Sequence, residues 1–244
     1  MDMHNTEIFP SADSLATAVA DLVVKLSIES IVTNGKFTIA LSGGSTPNLL
    51  FDILAKPPYA NSINWKQTFV FWVDERYVAP TSADNNAFQA KKLLLDHVQI
   101  PAENVFSIPV KMPAAKAAIH YEQTLKIFFK STLPSFDLIL LGMGEDGHTA
   151  SLFPQSALLK EEEALIKSIF VPSVKMERIT FTPPLINNAK KIVFMVAGSN
   201  KASMVKTVTK SKRNISKYPA QIIKGSNQDT VSWYLDEAAA EKIK

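Results

Sequence analysis

Phe136–Pro154 reads FDLILLGMGEDGHTASLFP, and this stretch decides the fold. Phe136 to Leu141 is a short apolar run, broken only by Asp137, that stops at a glycine. Continuous rather than alternating hydrophobicity over six residues marks a strand covered on both faces, as in a parallel sheet. The next seven residues, Gly142-Met143-Gly144-Glu145-Asp146-Gly147-His148, form a polar, glycine-rich loop.

The same grammar recurs on either side. Phe37–Leu41 (FTIAL) runs into Ser42-Gly43-Gly44-Ser45-Thr46, Thr68–Val73 (TFVFWV) into Asp74-Glu75-Arg76, and Ile192–Ala197 (IVFMVA) into Gly198-Ser199-Asn200-Lys201. Val231–Leu235 is read as a last strand. Between these runs lie segments with apolar residues at three- and four-residue spacing, which predict helices over 13–31, 47–54, 85–98, 114–129 and 202–208. Asn34-Gly35 stops the first, and Pro47 suits the first turn of the second. Strands alternating with helices predict an α/β fold: a single doubly wound, mostly parallel sheet flanked by helices, in one domain over residues 1–244. Ligands of such sheets sit beyond the carboxyl ends of the strands. Four polar clusters, far apart in sequence, are therefore expected to meet at one crevice.

Each cluster has a chemistry. Ser42–Thr46 places paired glycines, hydroxyls and amides at a helix N-terminus, where unpaired N–H groups favour an anion. It reads either as a phosphate or carboxylate seat or as a capped strand–helix turn. It lacks the G-K-[ST] ending of a nucleotide P-loop. Gly142–Gly147 matches G-x-G-x-x-G, but Glu145 and Asp146 would set two negative charges beside a pyrophosphate, so a dinucleotide is not expected. His148, two residues after Asp146, is the candidate general base, since a carboxylate orients an imidazole and stabilises its protonated form. His97 and His120 fall in helical segments and His4 in the tail, so no histidine-rich metal site is expected. Arg76 and Lys201 are the cations nearest strand ends and suit a phosphate.

Composition narrows the field further. With no cysteine among 244 residues, thiolate nucleophiles, redox dithiols, iron–sulfur clusters and cysteine-based zinc sites are excluded, and nothing suggests a disulfide framework. The net charge of +3 hides two unlike regions. Ten basic and no acidic side chains fall within Arg178–Gln228, while the other 193 residues carry 16 basic against 23 acidic. Tyr218 is the only aromatic between Lys201 and Lys224, which argues against nucleic acid. Neither a signal peptide nor a membrane span is evident, so a cytoplasmic protein is expected.

The motifs also carry a resemblance. LSGGSTP (41–47), VDERYV (73–78) with SADNN (82–86), FDLILLGMGEDGHTASLFP (136–154), RITFTPPLINNAK (178–190) and VAGSNKA (196–202) resemble, in family order, the 6-phosphogluconolactonases. These lie within the wider family that includes the glucosamine-6-phosphate deaminases. The stretch after the histidine discriminates. Deaminases carry a sequence similar to GHIAFNEP, with a glutamate that takes part in ring opening; here GHTASLFP puts Phe153 at that position. Arg76 after Asp74-Glu75 also matches the lactonase pattern, where deaminases have tyrosine.

The resemblance implies hydrolysis of 6-phospho-D-glucono-1,5-lactone to 6-phospho-D-gluconate, the second step of the oxidative pentose phosphate pathway. It implies no metal and no organic cofactor; the small-molecule lactone is the expected partner, with no nucleic acid and no membrane, and a monomer is expected. His148 would take a proton from the attacking water and Asp146 would hold it in position. Gly43, Gly44, Ser45, Arg76 and Lys201 would bind the phosphate or sugar, and Asp74 would contact the sugar hydroxyls or shape the site. Sugar-phosphate deamination and non-catalytic sugar-phosphate sensing are the two rival readings.

Overall fold

In the computed structural model, which describes residues 5–243, the apolar runs become strands. The strands are β1 (Thr6–Phe9), β2 (Phe37–Leu41), β3 (Thr68–Trp72), β4 (Asp74–Arg76), β5 (Val105–Phe106), β6 (Leu138–Leu141), β7 (Ile166–Val171), β8 (Met176–Phe181), β9 (Ile192–Val196) and β10 (Val231–Asp236). The helices are α1 (Ala12–Asn34), α2 (Ser45–Leu54), α3 (Tyr59–Ser62), α4 (Asn86–Leu93), α5 (Ala114–Phe129), α6 (Pro183–Asn187), α7 (Ala202–Lys210) and α8 (Glu237–Ala240). His4 lies outside the described residues.

Seven strands form one sheet in the order β1-β10-β9-β6-β2-β3-β5, and every pairing in it is parallel. From β2 the chain moves outward through β3 to β5. It then crosses back to β6 on the other side of β2 and moves outward again through β9 to β10. The reversal lies between β2 and β6, where Ile39 faces Leu138 and Ala40 faces Ile139. A doubly wound sheet opens a crevice at such a reversal, because the crossovers on its two sides leave toward opposite faces. Strands β2, β6 and β9 are buried at every position, as their unbroken hydrophobicity predicts. The sheet packs through rings on the β3 side: Phe71 stacks on Phe106 at 4.7 Å between centroids and meets Phe128 and Phe136 edge-on.

Helix α1 begins at a reciprocal cap. The Ser11 hydroxyl accepts from the Ser14 amide while the Ser14 hydroxyl accepts from the Ser11 amide. It ends at Gly35, whose φ of 72° only a residue without a side chain adopts freely, as the Asn34-Gly35 pair predicts. Among the described residues no helix is long and apolar enough to cross a membrane.

Two features depart from expectation, and a third bears on the glycine motif. A second, three-stranded antiparallel sheet, β4-β8-β7, stands beside the large one. The chain bends at Val73 and passes directly from β3 into β4: the Val73 carbonyl accepts from the Phe181 amide at 2.7 Å, and Asp74–Arg76 pair with Arg178–Thr180 of β8. Strand β7 (IKSIFV) is partly exposed over its middle, a half-solvated pattern with too little apolar content to stand out in the sequence. The helix expected over 85–98 stops at Leu93; Leu94 leaves helical dihedrals (φ −130°, ψ −60°) and a 3₁₀ turn spans Leu95–His97. No helix succeeds Gly142–Gly147. The chain instead folds into a tight turn with a Thr149–Leu152 bridge, so that G-x-G-x-x-G lacks the helix on which a pyrophosphate would rest.

Candidate active site

A cavity of about 330 Å³ opens at the carboxyl ends of the central strands. Its walls draw on all four polar clusters. Gly43, Gly44 and Ser45 come from the end of β2, Asp74 and Arg76 from β4, His148 from the loop after β6, and Lys201 from the turn after β9. Asp146 does not line the cavity but bonds to His148, which does. The eight residues singled out from sequence therefore stand together.

His148 is held by its own loop. Its Nδ1 lies 2.6 Å from Asp146 Oδ1, and the same oxygen accepts from the His148 amide at 3.1 Å. An ionised carboxylate only accepts, so Nδ1 carries the hydrogen and Nε2 is left as the basic nitrogen. Burial pushes the Asp146 carboxyl up, but the hydrogen bond to His148 and its charge outweigh burial and hold it below the ordinary aspartate value. The loop closes on itself: the Gly144 amide donates to the His148 carbonyl at 2.8 Å and the Gly147 amide to the Gly144 carbonyl at 3.1 Å. Two of its glycines are obligatory. A Cβ at Gly144 would collide with the His148 ring and the Asp146 carboxylate, and Gly147 sits at φ 82°. On the other side, Phe153 stacks on the imidazole with centroids 4.1 Å apart and 23° between planes.

Cations line the same cavity. Arg76 faces Arg178 across the β4–β8 pair, and both side chains line the cavity. Arg76 donates to the Asp84 carbonyl at 3.0 Å, whereas Nε of Arg178 is buried with no acceptor among the described residues. Burial and then the neighbouring Arg76 charge push the Arg178 pKa down, against the pull of Asp74, Glu75 and Asp84. Two adjacent guanidinium groups with an unmet donor form a seat for an anion. The N–H groups of Gly43 and Gly44, at the start of α2, also find no acceptor among the described residues. Gly43 is pressed against the Asn86 side chain, which would overlap any Cβ there.

Sequence reasoning does not single out Arg178 and Asn86 as wall residues. Both stand inside recognisable motifs, but only the antiparallel register of β4 on β8 brings Arg178 to the cavity. An arginine opening the β-branched run RITFT is the signal that was present.

Asp74 is buried and takes a 2.7 Å hydrogen bond from the Ser151 hydroxyl, while its carbonyl accepts from Asn86 Nδ2 at 2.9 Å. Asn200 donates to Glu145 at 2.6 Å, tying the Lys201 turn to the histidine loop. No group of three or more His, Cys, Asp or Glu residues is placed to hold a metal ion among the described residues.

This arrangement sits within a known set of proteins. The family model described as glucosamine-6-phosphate isomerases/6-phosphogluconolactonase matches residues 10–233. A 6-phosphogluconolactonase of Nostoc sp. is 40% identical over 242 residues, covering 97% of this chain and 97% of its own. That of Haemophilus influenzae is 40% identical over 96% of this chain and 98% of its own. Among solved structures, 6-phosphogluconolactonase from Trypanosoma cruzi superposes with a TM-score of 0.87 at 27% identity, over 100% of this chain and 98% of that one. A family match of this extent, with relatives aligned nearly end to end, means that the chain belongs to the glucosamine-6-phosphate isomerase/6-phosphogluconolactonase family.

Proposed function

We propose that the chain, acting as one domain over residues 1–244, hydrolyses 6-phospho-D-glucono-1,5-lactone to 6-phospho-D-gluconate, with His148 activating the water. The observation that carries this reading is the His148–Asp146 pair at 2.6 Å, beside a cavity that His148 shares with an arginine pair, Arg76 and Arg178, one of whose buried donors, Nε of Arg178, has no acceptor among the described residues. A base and an anion seat in one cavity suit an uncharged ester that carries a phosphate.

In the reaction, His148 Nε2 takes a proton as the water oxygen bonds to the lactone C1. The carbonyl electrons move onto oxygen, and amides of the glycine loops are suited to receive that charge. When the intermediate collapses, the bond from C1 to the ring oxygen breaks, and the imidazolium returns its proton to that oxygen. The carboxylic acid formed then loses a proton to solvent. Arg76, Arg178 and Lys201, with the Gly43, Gly44 and Ser45 segment, bind the phosphate or sugar and hold C1 near the base. Asp74, fixed by Ser151, meets sugar hydroxyls. General-base catalysis of about 10²–10⁴-fold, added to positioning, is adequate for a reactive six-membered ester.

Freshly prepared lactone, assayed by proton release and corrected for spontaneous opening, tests the reading. His148→Ala is expected to lower kcat by about 10²–10⁴-fold with the fold intact. Wild-type turnover by that variant refutes the base assignment. Phe153 in van der Waals contact with the imidazole leaves no acid for ring opening at that position, so no ammonia is expected from glucosamine 6-phosphate.

A further inference from the structure

Glu75 stands between Asp74 and Arg76, yet its side chain points away from solvent and is fully buried. It makes no ion pair among the described residues. Its carboxylate instead accepts three backbone hydrogen bonds: Oε1 from the amides of Arg76 (2.8 Å) and Asn86 (2.7 Å), and Oε2 from the amide of Ala87 (2.9 Å). Two of these donors are the first two residues of α4, and the third is the backbone of a cavity arginine. One carboxylate thus fastens the start of α4 to β4. Both fastened pieces supply the cavity wall: Arg76 directly, and Asn86 through its side chain, which donates to the Asp74 carbonyl and backs Gly43.

We propose that Glu75 is a titrating positioning residue, whose ionised carboxylate clamps β4 to α4 and so sets Arg76, Asn86 and Asp74 for the phosphate and sugar, and whose protonation loosens that wall.

The geometry explains why protonation matters. Three N–H groups aimed at two oxygens are satisfied by a carboxylate; a carboxylic acid turns one oxygen into a donor facing a donor. Burial pushes the Glu75 pKa up from an ordinary 4.5 to about 7, against the three amides, with the Asp74 charge adding to the rise. The charged and titratable groups around it are Asp74 and Arg76 on its own strand, Arg178 on β8, Tyr121 on α5 and Asp84 in the loop before α4. Tyr121 is itself pushed far up by burial and stays neutral. None of the carboxylates among them shares a proton with Glu75 through a hydrogen bond.

Stability and function then pull in opposite directions. The folded protein keeps a proton on Glu75 that the unfolded chain releases between pH 4.5 and about 7, so this group makes stability fall as pH rises through that window. The clamp needed for binding forms over the same rise.

Glu75→Gln tests this by three readouts. First, the amide resonances of Arg76, Asn86 and Ala87 in the ligand-free wild type are expected to titrate together near pH 7, and in the variant to stay flat. Second, the melting temperature of the variant relative to wild type is expected to be higher at pH 8 than at pH 5. Third, KM at pH 8 is expected to rise about 5- to 20-fold with kcat changed less than about twofold, and the wild-type rise in KM below pH 7 is lost. The kinetic readout rests on the lactone-hydrolase reading; the first two do not, so a wild type without turnover would sink that reading and leave this one standing. Flat amide shifts in the wild type from pH 5.5 to 8.5 overturn the proposal. So does a variant that keeps the wild-type dependence of KM on pH. If the variant does not fold, the wild-type amide titration alone decides.

Discussion

A single side chain, His148, concentrates the chemistry, and its usefulness depends on what holds it. Asp146 is two residues earlier, a spacing that a helix would turn to a different face. It reaches the imidazole only because Gly144 and Gly147 let the loop curl until one carboxylate oxygen meets both the ring and the backbone of His148. Asp146→Asn removes the charge that balances an imidazolium while keeping an acceptor oxygen. Its kcat is expected to drop roughly 10- to 1000-fold with little change in KM. The pH signature has a definite sign. Because His148 holds the Asp146 carboxyl below its ordinary value despite burial, its contribution to stability is complete above the unfolded pKa of about 3.9 and disappears as pH falls through the lower folded value. The melting difference between wild type and Asp146→Asn is thus expected to shrink as pH falls below 4. A thermal-shift series in pH checks this. Both residues are legible in the sequence, since a lone histidine next to an acid on a strand-end loop is a short-range signal. Arg178 is not, because an arginine at the head of a strand is usually a solvated charge.

At the scale of elements, the small β4-β8-β7 sheet matters more than its size suggests. It carries Arg76 and Arg178 to the cavity, and it is seated on the core by Phe181, which is fully buried against Phe136 and Tyr121. Phe181→Ala is expected to cost about 3–5 kcal/mol in urea unfolding, the range for emptying a buried aromatic site. A cost under about 1 kcal/mol would show that the sheet is not anchored there. The strands of the large sheet are readable because each is an unbroken apolar run, buried on both faces. Strands β7 and β8 escape notice for the converse reason. IKSIFV and MERITF mix charged with apolar residues, since their outer face meets water, and a short half-exposed strand has little hydrophobic signal. Edge strand β1, TEIF, is weak for the same reason, with its two middle residues exposed. The end of α4 is over-extended in the sequence reading because apolar spacing continues through Leu94 and Leu95 even though the backbone turns there.

Across the whole molecule the two charge regions recover a meaning. The basic stretch Arg178–Gln228 runs through β8, α6, β9, α7 and the loop beyond it, and of its ten cations Arg178 and Lys201 line the cavity. That loop is joined to the histidine loop, with the Ala220 amide donating to the Gly147 carbonyl at 2.9 Å. Lys206 and Lys210 of α7 and Lys212 just beyond it are exposed, with no acidic partner among the described residues. They suit a weak, long-range pull on a phosphorylated substrate. Raising salt from about 0.05 to 0.5 M is therefore expected to lower kcat/KM several-fold and leave kcat in place, as the screening length shortens from about 14 Å to about 4 Å. Replacing those three lysines by glutamine should flatten that dependence, and a salt response unchanged by the replacement would mean that the lysines do not act on the substrate. By itself the sequence determined the layer architecture, the strand ends where polar clusters gather, and the histidine–aspartate pair. All of these come from local hydrophobic periodicity and short-range spacing. Only the tertiary structure decided which cations share a wall, that Glu75 clamps β4 to α4, and that Phe153 lies flat on the imidazole. Each of those depends on the register and docking of segments distant in sequence, where burial and hydrogen-bond satisfaction are set by neighbours that no local pattern names.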